Sequence, residues 1–521
     1  MAKQFSKCIE RYKLPEFAPE WGAILRGIEK ESLRVSPQGR ISLSSHPTAL
    51  GSALTNPYIT TDFSEALLEF ITPVFPDINE CLKTLENIHR YTVQNLDNSE
   101  ILWASSMPCP LENTEIPIAQ YGCSNIGKLK TLYRHGLHHR YGSVMQTISG
   151  IHYNFSMPEE FWDHYKSIIG YSGSNQSFRT QKYLHLIRNF HRYSWLLIYL
   201  FGASPAACKC FAEGREHNLQ QFDANSLYLP NATCLRMGNL GYRSDAQTSL
   251  FVCYNDLETY VDCLHQAMHT PYPEYEAIGH QLNGNYLQIN TNLLQLENEF
   301  YSTIRPKRNA QTGERPLDAL VNEGIEYVEI RALDLDPFAP LGISAEQIRF
   351  LDTFLLHCLL AESPECNEQE FFEVANNISK VVEQGRDPRL MLDLKSEPKG
   401  LKEWSLEILE ELSYSAGLLD EIHGEANYSA SLNAQLVKVN NPELTPSGQI
   451  LKIMQESNLS FFEFSMQQST SHHKTLTRNG LDQKAIMHMN TIADKSHTQQ
   501  RENEVSDKIN FDEFLLRWNR A

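Results

Sequence analysis

The segment RGIEKESLRV, residues 26–35, places two glutamates one residue apart in a run that otherwise has the pattern of a β-strand. On a helix, side chains two positions apart point about 200° away from each other. On a strand they share a face, so a strand here puts Glu29 and Glu31 side by side. Neighbouring carboxylates repel each other unless a cation or water lies between them. The segment therefore predicts either a solvated edge strand or a strand that holds a cation.

Three further segments alternate polar and apolar residues in the same way. They are GIHYNFSM with His152 and Asn154, GIEYVEIRALD with Glu329 and Arg331, and NYLQINTNLLQ with Gln288, Asn290 and Asn292. An antiparallel sheet with one wet face and one packed face accounts for this alternation. The polar positions are rich in His, Asn, Gln and Glu and poor in Lys and Thr, which favours a sheet whose polar face lines a cleft.

A further glutamate lies inside an apolar run. The segment TTDFSEALLEFITP carries Asp62 and places Glu69 between leucines, a phenylalanine and an isoleucine. A carboxylate there is costly to bury unless it is paired or binds a metal, and the alternative is a water-facing helix boundary. An oxygen-rich set with one imidazole suits Mg²⁺ or Mn²⁺. The predicted set is Glu29, Glu31, Asp62, Glu69, His152 and Glu329.

Two basic segments complement this acidic set. TLYRHGLHHRYG carries Arg134 and Arg140, and YSTIRPKRNAQTGERP carries Arg305, Lys307, Arg308 and Arg315. Guanidinium and ammonium groups near a polar sheet are candidates for binding a polyphosphate, and the alternative is an exposed basic loop.

One motif is a false match to a phosphate-binding loop. GCSNIGKL, residues 122–129, fits G-x-x-x-x-G-K but has Leu129 where such a loop needs Ser or Thr for Mg²⁺. No clear buried strand leads into it. We therefore expect an ordinary glycine-containing loop, and the tyrosines around it suit the wall of a substrate pocket.

The composition limits the class of protein. The chain has 521 residues and a net charge of −19, which argues against broad nucleic-acid binding. Its start has no apolar stretch of signal-peptide length, and its longest apolar run, WLLIYLFGA, is far shorter than the roughly 20 residues that span a bilayer. The cysteines are scattered without metal-ligand spacing, which fits a reducing compartment. We expect a cytoplasmic protein that does not bind membranes.

The chain divides into a mixed region and a helical region. Up to about residue 340, helical patches such as INECLKTLENIHRYTVQNL alternate with strand-like runs. From about residue 344, amphipathic segments such as SAEQIRFLDTFLLHCLLAES and LKEWSLEILEELSYSAGLLDEI follow one another. The charged end, from residue 469, is expected to form a helical surface layer with a mobile tail. We predict a single α+β domain over residues 1–521, with a catalytic sheet region of about 20–340 and a helical C-terminal region of about 344–521.

Several long segments together resemble one known family. RGIEKESLRV, HPTALGSALTNPYITTDFSEALLEFITP, TLYRHGLHHRYGSVMQTISGIHYNFSMP, YLFGASPA, LQINTNLLQLENEFYSTIRPKR and GIEYVEIRALDLDPF resemble the proteobacterial type of glutamate–cysteine ligase. The resemblance runs in order from about residue 21 to 352 and weakens in the helical C-terminal third. It implies a fold related to glutamine synthetase, in which a curved, mostly antiparallel sheet lines an active-site funnel with helices outside.

The resemblance also implies a reaction and a set of roles. Family members use ATP to phosphorylate the γ-carboxylate of L-glutamate, and the amine of L-cysteine then displaces phosphate to give γ-glutamylcysteine for glutathione synthesis. By position, the acidic set with His152 matches ligands for two or three Mg²⁺ ions, which Mn²⁺ can replace, and Arg331 matches the arginine that stabilises the transferring phosphoryl group beside Glu329. The implied substrate-binding residues are Phe63, Tyr133, Leu137, Gln146, Arg236 and Tyr242, with Arg134, Arg305, Lys307 and Arg308 as weaker phosphate-binding candidates.

Two alternatives stay open at this point. One is the same chemistry with another amine as acceptor, because only the resemblance points to cysteine. The other is a nucleotide-binding or scaffold protein that keeps the fold without turnover. The resemblance further leads us to expect a monomer that glutathione inhibits as end product, although no residue in the sequence shows that inhibition.

Overall fold

The structure is a computed structural model that describes residues 24–97, 99–111, 114–241, 244–248, 250–310, 314–478 and 480–520. Within these ranges the strands are β1 (Leu25–Val35), β2 (Ile59–Thr61), β3 (Leu67–Ile71), β4 (Ile101–Leu102), β5 (Ile151–Ser156), β6 (Ala206–Cys208), β7 (Gln220–Gln221), β8 (Ser226–Tyr228), β9 (Gln281–Leu282), β10 (Asn285–Tyr286), β11 (Ile304–Lys307), β12 (Tyr327–Leu333), β13 (Met391–Leu394) and β14 (Glu397–Gly400). The helices are α1 (Ile78–Gln94), α2 (Asn125–Tyr141), α3 (Glu159–Ile169), α4 (Asn175–Phe201), α5 (Lys209–Ala212), α6 (Leu257–His269), α7 (Pro273–Ile278), α8 (Pro316–Glu323), α9 (Ala345–Leu360), α10 (Glu368–Gln384), α11 (Leu401–His423), α12 (Asn427–Asn440), α13 (Pro446–Glu456), α14 (Phe461–Arg478), α15 (Gln483–Ser506) and α16 (Phe511–Trp518).

The main sheet is antiparallel and has β1 at its centre. Its strands lie in the order β11-β12-β5-β1-β3-β2, and β4 also pairs with β1. The strand predicted around Glu29 and Glu31 is therefore present, but it is not an edge strand. Glu29 pairs with β5 on one side and with β3 on the other, so its backbone is enclosed by the sheet. The carboxylates that alternate along β1 thus lie over the middle of the sheet.

The two faces of the sheet differ as the alternation predicts. On the apolar face, Ile28, Phe70 and Tyr153 are fully buried in the largest hydrophobic cluster of the described residues. Helices α1 and α4 pack on this side of the sheet, and α9 packs on α4. The opposite face carries the glutamates and is turned toward a cleft. This division follows from the two-residue period of a strand, since each alternate side chain points to the other face.

A buried ion pair ties the sheet to the helical layer. Arg26 on β1 donates to the carboxylate of Asp352 on α9 at 3.0 Å, and both side chains are fully buried. Tyr153 on β5 donates its hydroxyl hydrogen to the other oxygen of Asp352 at 2.6 Å. Each charge of the pair is therefore compensated within the core, which is the condition under which buried charges are tolerated.

The helices predicted for the two amphipathic segments of the C-terminal region are present. Helix α9 begins after Ser344, whose hydroxyl accepts a hydrogen bond from the backbone N–H of Gln347, and α11 covers the second amphipathic segment. The charged end forms α15 and α16. The apolar run WLLIYLFGA lies at the end of α4, and across the described ranges we find no helix with the length and hydropathy to cross a membrane.

One strand prediction is wrong. Within residues 285–295 only Asn285–Tyr286 is a strand, and the rest is irregular. The amides there bond to nearby backbone instead of facing a cleft: Gln288 donates to the carbonyls of Tyr275 and Gly279, and Asn292 donates to that of Met268. Because side-chain amides compete with a strand ladder for backbone partners, the polar alternation did not indicate a strand here.

We expect the substitution Asp352→Ala to destabilise the fold strongly. It leaves the guanidinium of Arg26 buried without a counter-charge, which costs about 3–5 kcal/mol in comparable cases. The measurement is the free energy of unfolding from urea titration. Glu456→Ala is the control, because its partner Lys452 is 3.9 Å away in an exposed pair, and such pairs contribute about 0–1 kcal/mol. Equal losses in the two variants would contradict this account of the core.

Candidate active site

Neighbouring strands bring the predicted acidic residues onto one face of the sheet. In the antiparallel register, Glu29 on β1 lies opposite His152 on β5, and Glu31 lies opposite Glu69 on β3. On the other side of β5, Glu329 of β12 lies opposite Asn154. Directly opposed residues share a face and lie close together. Residues that are up to 300 positions apart in sequence thereby form one cluster.

The imidazole of His152 is the centre of this cluster. Its Nδ1 lies 3.1 Å from Oε2 of Glu29 and 4.0 Å from Oε1 of Glu69, and its Nε2 lies 3.6 Å from Oε1 of Glu31. Two donors fix the carboxylates on β1: Asn154 donates to Glu29 at 2.8 Å, and the backbone N–H of Gly150 donates to Glu31 at 2.7 Å. The cluster is thus held in place by hydrogen bonds.

Two cations lie beside the most deeply buried carboxylate. Lys307 on β11 and Arg331 on β12 each lie 3.1 Å from an oxygen of Glu329. Burial alone would disfavour the charged form of Glu329, but the positive charges of Lys307 and Arg331 outweigh it and hold its pKa well below the ordinary value. Glu329 is therefore ionised at neutral pH, and both cations also reach the cleft.

On the opposite side of His152, negative charge is in excess. Burial raises the pKa of Glu69 well above its ordinary value, and the nearby carboxylate of Glu29 raises it further. Burial likewise raises the pKa of Glu31. Carboxylates with raised pKa values around a shared space are the arrangement that a bound cation would stabilise.

The cluster has the geometry of a metal site. One ligand atom from each of Glu29, His152 and Glu329 lies within 4.8 Å of the other two. Carboxylate oxygens with a single imidazole are ligands for hard divalent cations such as Mg²⁺ and Mn²⁺. The donor set and its excess of negative charge therefore fit such ions.

A cleft of about 430 Å³ opens over the cluster. Helix α2 lines its length, because Ile126, Leu129, Tyr133 and Leu137 recur at the spacing of one helical face. Ser124 begins this helix by accepting a hydrogen bond from the backbone N–H of Gly127. The polar face of the sheet thus bounds the cleft on one side, and α2 runs along another side.

The structure places most of the implied substrate residues around this cleft. Phe63, Tyr133, Leu137 and Gln146 line it. Arg236 does not line it: its side chain is buried, donates to the backbone carbonyl of Arg331 at 2.9 Å and lies 4.0 Å from Asp334. Tyr242 lies outside the described residues.

The basic residues of the two predicted segments separate into those on the cleft and those away from it. Arg134, Arg305 and Lys307 line the cleft, whereas Arg308 pairs with Glu323 at the surface. Arg140 makes a buried ion pair with Glu299 at 3.0 Å and does not line the cleft. For Arg308 and Arg140 the phosphate-binding prediction is therefore not supported by position: Arg308 is engaged by Glu323 at the surface, and Arg140 is engaged by Glu299, which lines the cleft in its place.

The match to a phosphate-binding loop is a helix start at which several backbone donors are already used. The backbone N–H of Asn125 donates to the carboxylate of Asp507 at 2.6 Å, and the N–H of Gly127 is taken by Ser124. An anion at this helix terminus would compete with an existing carboxylate. The structure thus agrees with the sequence argument against a phosphate-binding loop here.

Sequence reasoning missed several residues on the cleft. Lys130 lies on the same face of α2 as Tyr133, and its position could have been found from the helical period. Tyr301, whose hydroxyl accepts from Gln146 at 3.3 Å, and Glu297 come from the loop before β11. Trp518 on α16 also lines the cleft, and no local signal in the sequence connects it with a site more than 180 residues away.

Comparison with known proteins decides the family. A family model described as glutamate–cysteine ligase matches residues 13–381. The chain belongs to the glutamate–cysteine ligase family. A glutamate–cysteine ligase of Pseudomonas fluorescens (strain Pf-5) is 50% identical over 492 residues, which cover 94% of this chain and 92% of that protein. The family predicted from the sequence motifs is therefore confirmed.

Solved structures confirm the fold. A glutamate–cysteine ligase from Francisella tularensis, determined in complex with AMP, is 34% identical with a TM-score of 0.90 and covers 96% of this chain and 98% of that chain. A bifunctional glutathione synthetase from Pasteurella multocida is 23% identical with a TM-score of 0.73, and the alignment covers 92% of this chain and 57% of that one. The predicted α+β ligase fold, with an antiparallel sheet and outer helices, is thus confirmed.

We expect Glu29→Gln to weaken Mn²⁺ binding at least about tenfold, because it removes charge from the centre of the ligand cluster. The measurement is an electron paramagnetic resonance titration of free Mn²⁺ in the presence of the protein. Glu323→Gln is the matched control, since its carboxylate pairs with Arg308 away from the cleft. Unchanged Mn²⁺ affinity in Glu29→Gln, with the fold intact, would exclude Glu29 as a ligand.

Proposed function

We propose that this cleft joins the γ-carboxylate of L-glutamate to the amine of L-cysteine, with ATP converted to ADP and phosphate. The observation that carries the proposal is the carboxylate–imidazole cluster with Lys307 and Arg331 on one face, in a chain of the glutamate–cysteine ligase family. The AMP in the Francisella relative supports a nucleotide site in this fold. The product, γ-glutamylcysteine, belongs to glutathione biosynthesis.

The carboxylates and His152 are proposed to hold two or three Mg²⁺ ions, for which Mn²⁺ can substitute. The proposed ligands are Glu29, Glu31, Asp62, Glu69, His152 and Glu329. Bound divalent ions neutralise the charge of the ATP phosphates during transfer. The hydrogen bonds from Asn154 and Gly150 orient the carboxylates of β1 in advance, so little reorganisation is needed when ions bind.

Arg331 is proposed to stabilise the phosphoryl group during its transfer from ATP to glutamate. In the first step a γ-carboxylate oxygen of glutamate attacks the terminal phosphorus, and ADP leaves. In the second step the neutral amine of cysteine attacks the acyl carbon, phosphate leaves and the amine loses a proton. Arg331 and Lys307 face the cleft beside Glu329 and supply positive charge where the phosphoryl oxygens pass. Arg134 and Arg305 line the same cleft as further phosphate-binding candidates.

The acceptor amino acid is proposed to bind between α2 and the loop after β2. Phe63, Tyr133 and Leu137 offer apolar contacts for a small side chain, and Gln146 offers an amide. Gln146 already donates to Tyr301 at 3.3 Å, which fixes the orientation of that amide. Arg236 and Tyr242 complete the proposed substrate set, and for Arg236 this requires its buried guanidinium to be reached from the cleft.

We further propose a single-domain monomer that acts in the cytoplasm and is inhibited by glutathione. The ten cysteines of the described residues are all free thiols, which suits a reducing compartment. Glutathione carries the same γ-glutamyl and cysteinyl groups as the product, so it can occupy the same part of the cleft and inhibit the enzyme.

The proposal predicts phosphate release that requires both amino acids. With ATP and Mg²⁺, we expect release with glutamate and cysteine together, none without metal, and a product with the mass of γ-glutamylcysteine. The measurement is a phosphate assay with mass spectrometry, run with each amino acid alone, both together and a panel of other amines. Phosphate release with glutamate and another amine, but not with cysteine, would favour the alternative in which the acceptor is a different amine. ATP binding without release in any mixture would favour the scaffold alternative.

Arg331→Lys is expected to lower kcat by at least about tenfold while changing the KM of each substrate much less. A lysine keeps the positive charge but cannot reproduce the planar guanidinium fork. The substitution therefore removes stabilisation of the transition state more than binding of the substrates. The measurement is steady-state kinetics for all three substrates. Arg308→Lys is the matched control, because Arg308 pairs with Glu323 outside the cleft. An unchanged kcat in Arg331→Lys would remove Arg331 from the phosphoryl-transfer step.

A further inference from the structure

The two ends of the cleft differ in chemistry. One end contains the carboxylate cluster with Lys307 and Arg331. The other end is apolar and is lined by Ile126, Leu129, Leu296, Pro316 and Trp518. Along α2, Leu129 and Leu137 are eight residues apart, which corresponds to about 12 Å of helix. The cleft therefore extends at least about 12 Å along α2.

Trp518 reaches this apolar end from the last helix of the chain, beyond the residues that the family model matches. Helix α16 is anchored there from its own side: Leu515 is buried in a cluster with Leu129, Leu132 and Ile289. Asn519 donates to the backbone carbonyl of Ile289 at 3.0 Å. These contacts hold α16 against α2, so the position of Trp518 is set by packing.

The indole of Trp518 is itself fixed by Arg315. The guanidinium of Arg315 lies over the indole ring, 5.1 Å from its centre, and donates to the backbone carbonyl of Trp518 at 3.0 Å. Arg315 directly precedes Pro316, which also lines the cleft. A cation over one face of an indole is favourable and restricts the rotation of the ring. Phe514, one turn earlier on α16, also stacks with the indole at 6.0 Å between ring centres, and the indole still contributes to the lining of the cleft.

Two buried donors at this position have no partner within the described part of the chain. They are Nε1 of Trp518 and Nε of Arg315. A buried donor left without a partner is costly, so such groups are expected where a ligand or water supplies the acceptor. The apolar end of the cleft therefore includes an indole whose buried N–H lacks an acceptor, and a second such donor, on Arg315, lies directly behind it.

We infer that Trp518 binds the nucleobase of ATP at the apolar end of the cleft. Among the three substrates, only the nucleotide has a flat aromatic group with ring nitrogens that accept hydrogen bonds, and only it joins such a group to phosphates for the metal cluster in the same cleft. Glutamate carries charge at both ends of a short chain, and cysteine has only a small thiol beside its two charged groups, so neither offers a flat surface to an indole. The inference rests on the proposed ligase function and assigns α16 as part of the nucleotide site.

The kinetic test compares Trp518→Ala and Trp518→Phe with Leu516→Ala. Base–aromatic stacking corresponds to about a 5- to 150-fold change in affinity. We expect Trp518→Ala to raise the KM for ATP within this range while the KM values for glutamate and cysteine change less than about twofold. Trp518→Phe keeps an aromatic ring and the packing of α16, so its effect is expected to be smaller. Leu516 is exposed on the same helix and serves as the control.

A binding test distinguishes the contribution of the nucleobase to affinity from that of the phosphates. Trp518→Ala should weaken Mg²⁺–ADP and leave Mg²⁺–tripolyphosphate, which has no base, unchanged. In the wild-type protein, ADP should quench tryptophan fluorescence, and this quenching should be lost in Trp518→Phe. The other described tryptophans, Trp103, Trp162, Trp195 and Trp404, are buried.

Three outcomes would overturn the assignment: an unchanged KM for ATP in both variants, equal weakening of ADP and tripolyphosphate, or a rise confined to the KM for an amino acid. Each of these outcomes is measured with an enzyme that still forms γ-glutamylcysteine. A wild-type protein that releases no phosphate with both amino acids would instead contradict the proposed function. The two failures are therefore distinguishable.

Discussion

The mutual repulsion of carboxylates at the centre of the sheet is the constraint on which the rest of this structure depends. Glu29, Glu31 and Glu69 lie around His152 on adjacent strands, and burial adds to the cost of their charges. Such an arrangement is stable only with rigid support and compensating positive charge. Lys307 and Arg331 provide part of that charge on one side, and a divalent cation in the cluster would provide the rest.

The opposite face of the same strands supplies the rigid support. There Arg26 is paired with Asp352, and Lys30 lies 2.8 Å from Nε2 of the buried His89. Burial lowers the pKa of Lys30 to about 7, so the residue between the two glutamates of β1 is only partly charged at neutral pH. Because helices pack on this face, the strands cannot separate to relieve the repulsion on the other. The two faces of β1 thus serve opposite purposes, one for packing and one for chemistry.

The limits of sequence reasoning follow from the range of the interactions. The alternation around Glu29 and His152 identified real strands, since a two-residue period is a local property of the chain. The same alternation over residues 285–295 was misleading, because Gln288 and Asn292 find partners in a neighbouring turn and helix that the pattern does not contain. The cleft-facing side of α2 could have been recognised from its helical spacing. Trp518 could not, because its place depends on how the last helix docks on α2.

The sequence by itself determined the family, the alternating faces of the central strands and the chemical types that gather on them. These follow from local periodicity and from motifs long enough to be specific. Only the tertiary structure decided which charges meet in the cleft. It placed Lys307 and Arg331 beside Glu329, paired Arg140 with Glu299 and Arg308 with Glu323, and brought α16 to the apolar end of the cleft. The physical reason is that cross-strand register and helix docking set distances between residues hundreds of positions apart, and no local pattern encodes those distances.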